Sequence, residues 1–427
     1  MTTLNVFVLG LDEANLDTLG SLPHLADYSF HPLLSVEELQ LGEIDVPELL
    51  EKARHQLEGF DGSIDAVVGY WDFPVSSMVP VLCDEYGLRA ASLESVVKCE
   101  HKYWSRLEQQ RVTDAHPRFA LVDLEGDAKP PEGVGYPFWL KPVKSFSSKL
   151  AFMVETEEQF DEAVAEMREG IGRLGEPFQY VMDLLDLPPE IAEVGGEAAM
   201  AEEALSGGQA ATEGYVFDGE PHVYGVLDSV RYPGESNFLR HQYPSQLPDE
   251  MERKLVDVSE RVIRQVGMDW ATFSIEFFYD RDSGDVSILE INPRHSQSHA
   301  PLFEHVDGVP NHHCIIRLAL GRDPELPRRQ GDYGIAAIYY YRHFSDGIVR
   351  RAPTAEDVDR VQHDIPGVTV FPVAEQGTRL SEQFSQDPYS YLLAEMVVAA
   401  GDVADMEDKY ERCVEALAFE IDDKEPG

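Results

Sequence analysis

The chain has 427 residues, 43% of them apolar, which is room for two or three domains with substantial cores and excludes a disordered, tail-like protein. Its formal net charge of −45 excludes nucleic acid as a natural partner, and would destabilise the compact state by self-repulsion unless concentrated salt shortens the screening length. Acid is spread along the sequence rather than gathered in a tail, and ten lysines stand against twenty-four arginines, a balance that suits a salt-rich cytosol. No apolar run is long enough to span a bilayer and Met1–Gly10 lacks the basic start of a secretory signal, so a cytoplasmic protein with no membrane partner is expected. Cys83, Cys99, Cys314 and Cys413 are far apart, which predicts free thiols rather than a disulfide framework or a zinc site.

In chain order, the apolar run Leu4–Gly10 predicts a strand, followed by a helical pattern around Leu16 and Leu19. A strand at Tyr28–Leu34, a helix at Pro47–Leu57, a strand at Ala66–Tyr70 and a helix at Phe73–Tyr86 continue the alternation, which predicts a small parallel α/β domain over residues 1–97. Its first turn lacks GxGxxG and carries Asp12 and Glu13, which would repel a pyrophosphate, so no dinucleotide site is read there. Val96–Gln110 is predicted as one charged helix with Lys98, Lys102 and Arg106 on a single face. Lys98, Lys102, Lys141, Lys144 and Lys149 make this part of a lysine-poor chain a natural seat for an anionic ligand.

Gly135–Lys144 reads as an aromatic strand ending in lysine, Glu157–Arg173 as a helix, Pro188–Ala198 as irregular, and Gly214–Val226 as a hairpin turned at Asp218-Gly219. Arg231–Pro248 is predicted as a long loop bearing Arg231, Arg240 and His241, cations suited to a phosphate or a substrate carboxylate. Phe273–Pro301 reads as two strands joined at Asp282-Ser283-Gly284-Asp285, with Glu276 in the first strand, Glu290 near the end of the second, and Asn292 on the same face as Glu290. Two carboxylates and an amide oxygen with no thiol or paired imidazole suit a hard cation such as Mg²⁺ better than zinc. His295 and His299 follow in a predicted loop and offer general-base candidates. After a helix at Val309–Leu320 and a Pro- and Arg-rich linker, strands are predicted at Tyr333–His343 and Val368–Ala374, and helices at Tyr389–Ala400 and Val403–Phe419.

The acid Glu276 followed fourteen residues later by Glu290-Ile291-Asn292-Pro293-Arg294 resembles the metal-binding signature of the ATP-grasp ligases. The resemblance implies an ATP-grasp fold of mixed α/β and α+β class: an N-terminal parallel α/β pre-ATP-grasp domain (1–97), a two-lobed ATP-grasp domain (98–322) hinged near 199–206, and a small C-terminal α+β domain (323–427). By matching position it implies ATP with Mg²⁺, or Mn²⁺ in its place, on Glu276, Glu290 and Asn292. Lys102 and Lys141 would meet the phosphates, Glu202, Glu203 and Leu205 would receive adenine and ribose, and Arg294 would stabilise a phosphorylated intermediate, with His241 as a further catalytic residue. The chain departs from the family at Ser145-Phe146-Ser147-Ser148, where a glycine-rich flap is usual, and at Tyr243, Ser298 and His299, where biotin carboxylases carry a lysine and a catalytic glutamate.

The expected activity is therefore that of a carboxylate–amine ligase acting on small molecules through an acyl phosphate, similar to the L-amino-acid ligases, with a homodimer compatible with the family. A bicarbonate-phosphorylating or carbamoyl-phosphate-type enzyme is the alternative, and a non-catalytic ATP-binding protein the second. The charge makes its own prediction: raising KCl from about 0.1 M to about 2 M, which shortens the screening length from about 10 Å to a few ångströms, should raise the melting temperature by several degrees. A melting temperature that falls over that range in a thermal denaturation series would contradict the salt-adapted reading.

Overall fold

The structure is a computed structural model that describes residues 3–42, 44–124, 126, 128–145, 150–383 and 390–422. Two compact units emerge. One comprises 1–224, 248–297 and 312–325; the other comprises 225–247, 298–311 and 326–427.

In the first unit the apolar strands Leu4–Leu9, Tyr28–Leu33 and Ala66–Val68 pair in parallel, with Leu4–Leu9 central. The helices Val46–Glu58 and Val75–Tyr86 bury Leu50, Ala53, Met78 and Leu82 in a core shared with Leu9, Leu33 and Val67. Asp12 and Asp45 cap the helices that follow them by accepting backbone N–H bonds, the usual reason an acid starts a helix. The alternation predicted from sequence is thus present.

The predicted helix Val96–Gln110 is two helices, Leu93–Glu100 and Lys102–Gln110, because His101 between them has an extended ψ of 96°. Its ring nitrogen caps the second helix by accepting from Trp104 N at 3.2 Å. The break ends the expected one-face arrangement of Lys98, Lys102 and Arg106. Lys98 makes a surface pair with Glu94, whereas Lys102 and Arg106 turn inward. Four antiparallel strands follow, in the order Phe119–Val122, Ala199–Glu203, Phe138–Pro142 and Phe152–Val154. Their apolar face packs against the helix Glu157–Gly170 through Phe138, Leu140, Phe160 and Met167. The stretch Pro188–Ala198, expected to be irregular, contains the helix Pro189–Val194. Finally, Gly208–Phe217, Ala271–Tyr279 and Val286–Asn292 form an antiparallel set with Ala271–Tyr279 between the others.

The second unit is built on strands from Glu220–Arg231, Phe238–Tyr243, Ile335–His343, Tyr391–Ala400 and Val368–Pro372, in that order. The helix Val403–Leu417 covers one face through Met406, Cys413 and Leu417. Two predictions fail here. Phe238–Tyr243, expected within a long loop, is a strand paired to Glu220–Arg231 and Ile335–His343. Tyr391–Ala400, expected as part of a helix, is also a strand, lying between Ile335–His343 and Val368–Pro372. It is apolar on both sides because both sides are covered, and such a run has no two-residue period to distinguish it from a buried helix. Among the described residues no helix is long and apolar enough to cross a membrane, and the four cysteines are free and buried.

Burial also fixes the protonation of several histidines. It pulls His101 and His313 down to about 4, and His241 and His312 down to about 3, so all are neutral in the folded protein. Unfolding releases them to their ordinary values near 6.5, so below that pH the unfolded chain binds more protons than the folded one. Their contribution is intact above about pH 6.5 and is lost progressively as the pH falls toward 4 and 3. Stability from urea melts should therefore drop by about 1.4 kcal/mol per pH unit for each histidine still neutral in the fold. His312→Gln, which keeps a donor for Asn15 Oδ1 at 2.9 Å, should reduce that slope by about one proton. An unchanged slope would show that His312 is not buried neutral.

Candidate functional site

The candidate site lies within the first unit and begins with the pairing of two strands. Glu276 of Ala271–Tyr279 stands directly opposite Glu290 of Val286–Asn292, and Ser274 stands opposite Asn292. Period-two alternation then puts Glu276, Glu290 and Asn292 on one face, as the sequence predicted. The Asn292 amide lies 3.3 Å from Glu276 Oε1 through its nitrogen, and a half-turn of that amide presents the oxygen instead. The donor set is three oxygens with no sulfur or imidazole, a set that fits Mg²⁺.

Cations face these acids. Lys102, the first residue of its helix, donates from Nζ to Glu290 Oε1 at 2.5 Å and to the Ser145 carbonyl at 3.0 Å. Burial raises the Glu290 carboxyl, but Lys102 first, then Lys141 and Lys144, outweigh it and hold Glu290 ionised below the ordinary carboxylate range. Lys141, on the strand Phe138–Pro142, pairs with Glu202 opposite. Burial depresses the Lys141 ammonium more than Glu202 restores it, with Arg106 and Lys102 adding to the depression. Lys144, which the lysine cluster included without a role, is buried against Glu100 at 2.9 Å, between the rings of Phe73 and Phe178. Glu100 also accepts from Ser76 and Ser77. Lys149 and the flap residues 146–148 lie outside the described residues.

Arg294 leaves the end of the second strand and binds Asp72, with Nε at 2.9 Å and Nη2 at 2.6 Å from Oδ1. Burial disfavours its charge, yet Asp72 first, then Glu213 and Glu276, raise the guanidinium above its ordinary value. Asp72 follows the third parallel strand and was not read as a site residue. Sequence offered one clue to it, its place just beyond the carboxyl end of a parallel strand, where α/β folds bind ligands.

Glu202 and Glu203, expected at adenine and ribose, both stand in ion pairs. Glu202 is only 2% exposed, and its carboxylate is held by Arg106 Nε at 2.7 Å as well as by Lys141. Burial pushes this carboxyl up, and the two cations override it and hold it at about 2. The Glu202 carboxylate thus bridges two cations, one on each oxygen. Glu203 pairs with Arg118 at 3.0 Å on the surface. Leu205, half-buried in the 204–207 connection into Gly208–Phe217, sits where the inter-lobe hinge was expected.

His241 and His295, expected as a catalytic residue and a general-base candidate, lie in different units. His241, in the second unit, meets Ser229 Oγ through Nδ1 at 2.9 Å and lies 5.5 Å from the His299 ring. Burial first, then His299, holds it down at about 3, so it supplies no positive charge. Arg240 on the same strand is engaged by Gln242 and Glu407. In the first unit His295 is fully buried, with Thr272 Oγ1 at 3.1 Å from Nδ1 and the Tyr70 and His312 rings against it, which is a core position.

Comparison with known proteins identifies the fold that carries this geometry. A model of the ATP-grasp domain matches residues 134–300. Uncharacterized protein y4rH of Sinorhizobium fredii (strain NBRC 101917 / NGR234) is 24% identical over 322 residues, which are 70% of this chain and 60% of that protein. The carbamoyl phosphate synthase large chain of Beutenbergia cavernae is 40% identical over 75 residues, 18% of this chain and 7% of its own. This chain thus spans less than two thirds of either relative. The crystal structure of L-amino acid ligase from Bacillus licheniformis aligns over 100% of both chains with a TM-score of 0.70 at 15% identity. Residues 134–300 therefore form an ATP-grasp domain, and the chain has the ATP-grasp fold.

Proposed function

We propose that the protein is an ATP-dependent carboxylate–amine ligase that forms an amide through an acyl phosphate and releases ADP and phosphate. The observation that supports this most is the convergence in one unit of Lys102 and Lys141 with Glu276, Glu290, Asn292 and Arg294, the parts a phosphoryl transfer needs for charge neutralisation and alignment. The likeness of fold to an L-amino acid ligase supports the same reading.

Glu276, Glu290 and Asn292 are the ligands offered to Mg²⁺, which when bound would neutralise phosphate oxygens and orient the γ-phosphoryl group. Lys102 and Lys141 trade part of their contact with Glu290 and Glu202 for the phosphates of ATP. Attack by a substrate carboxylate on the γ-phosphorus gives an acyl phosphate and ADP. Arg294, already oriented by Asp72, then holds the acyl phosphate while an amine attacks its carbonyl and phosphate leaves.

A bicarbonate-phosphorylating reaction is the second reading, and the 75-residue match to carbamoyl phosphate synthase favours it. ADP release that bicarbonate stimulates with no carboxylic acid present would select it. Against it stand Ser298 and His299, in the positions where the carboxylase resemblance calls for a glutamate.

The direct test is ADP release in concentrated KCl against a matrix of carboxylic acids and amines, with mass spectrometry of the products. An acid–amine pair that gives stoichiometric ADP and amide is the expected outcome. Nucleotide binding without ADP from any pair or from bicarbonate would instead fit a non-catalytic protein. Glu290→Gln should lower ADP formation by at least about a hundredfold at saturating Mg²⁺, the scale of losing a main electrostatic contributor, while leaving the melting profile cooperative. Retained turnover in that variant would sink the metal assignment.

A further inference from the structure

Arg106 has no role in the reading above, yet three of its nitrogens are committed inside the first unit. Nε donates to Glu202 Oε1 at 2.7 Å, Nη1 to Gln109 Oε1 at 2.7 Å, and Nη2 to the Leu289 carbonyl at 2.7 Å. The side chain is 3% exposed, and Gln109 is itself fixed through Ser105 at 3.0 Å. One guanidinium therefore joins the helix Lys102–Gln110, the strand Ala199–Glu203 and the strand Val286–Asn292, the last at the residue immediately before Glu290.

Glu202 has two cationic partners with unequal tasks. Arg106 is a rigid fork locked on all sides, whereas Lys141 is the flexible partner on the neighbouring strand. We propose that Arg106 is a positioning residue that divides the Glu202 carboxylate with Lys141, so that the lysine ammonium is held in place yet free to exchange its contact for a nucleotide phosphate. This rests on the ATP-binding reading of the same site.

The physical reason is competition. A buried ammonium with one carboxylate to itself is held strongly, and a phosphate must break that pair before it gains the lysine. A second cation on the same carboxylate weakens each contact and leaves an Arg106–Glu202–Lys141 group with one net positive charge, ready for an anion. Arg106 also anchors the backbone at Leu289, so the phosphate-side lysine and the acid Glu290 are referenced to one rigid group.

Three variants separate this from a merely structural role. ADP affinity is measured by calorimetry at fixed Mg²⁺ between about pH 7 and 11, a range chosen to cross the ordinary lysine value near 10.4. The charged groups facing Lys141 are Glu202, Arg106, Lys102 and Glu290, and only the first two are altered. Arg106→Gln leaves Glu202 to the lysine alone. It should weaken ADP binding about tenfold, the scale of one charge-assisted hydrogen bond, and move the alkaline loss of affinity to higher pH. Glu202→Gln removes the carboxylate that favours the ammonium and should move that loss to lower pH. In the double variant, Arg106→Gln should cost less than about threefold relative to Glu202→Gln, because the shared carboxylate is gone.

Shifts in opposite directions together with non-additivity are the expected result. Shifts in the same direction, or a tenfold cost for Arg106→Gln in both backgrounds, would overturn the inference while leaving the nucleotide site standing. Wild-type protein that binds no ADP would overturn both. If Arg106→Gln does not fold, Arg106→Lys, which keeps the charge but cannot hold all three acceptors, should show the same upward shift at smaller amplitude, and no shift there counts against the proposal.

Discussion

Buried positive charge is the constraint on which the first unit depends. Lys102, Arg106, Lys141, Lys144 and Arg294 all lie largely out of water, and an unpaired charge there would cost several kcal/mol. Each is matched by an acid from a different element: Glu290, Glu202, Glu100 and Asp72. The pairs are therefore more than local contacts. They bind the strand after Tyr136, the helix that begins at Lys102, the Glu276–Glu290 strand pair and the loop after the third parallel strand into one arrangement of charge. A protein with a net charge of −45 has no shortage of acid, and the selective fact is that so few cations occur and so many of them are here.

On the proposed reading, the carboxylates now on Lys102, Lys141 and Arg294 stand in places that a phosphate or acyl phosphate could take, and exchanging one anion for another costs less than ordering free side chains. Arg294 shows the principle from the N-terminal side. Asp72 holds it with both Nε and Nη2, so its direction is set before any substrate arrives. The parallel α/β portion thus contributes an electrostatic partner to the strand end that carries Arg294.

The histidines show the opposite use of burial. Five of them follow the acidic strand pair closely in sequence, and two of these, His295 and His299, are the general-base candidates. Packing places the His295 and His312 rings 4.9 Å apart beside Tyr70, with Thr272 and Asn15 as hydrogen-bond partners. Burial holds His312 neutral, so this polar core residue bears on acid stability through its titration.

The sequence by itself determined the local pieces. Apolar runs punctuated by glycine and acidic caps specified the parallel strands and their helices. Period-two alternation put Glu276 and Glu290 on strands, and the spacing from Glu276 to Arg294 carried the ATP-grasp resemblance. Tertiary structure decided what local patterns cannot encode. Whether Tyr391–Ala400 is strand or helix depends on its being covered on both faces, and a doubly buried run looks alike in either form. That Glu202 meets Arg106, almost a hundred residues away in sequence and 2.7 Å from its carboxylate, as well as Lys141 on the neighbouring strand, is likewise decided by packing. The partners of a buried charge are chosen by three-dimensional packing, so residue type and spacing could nominate the cations of this site, while only the fold could say which acid each one meets.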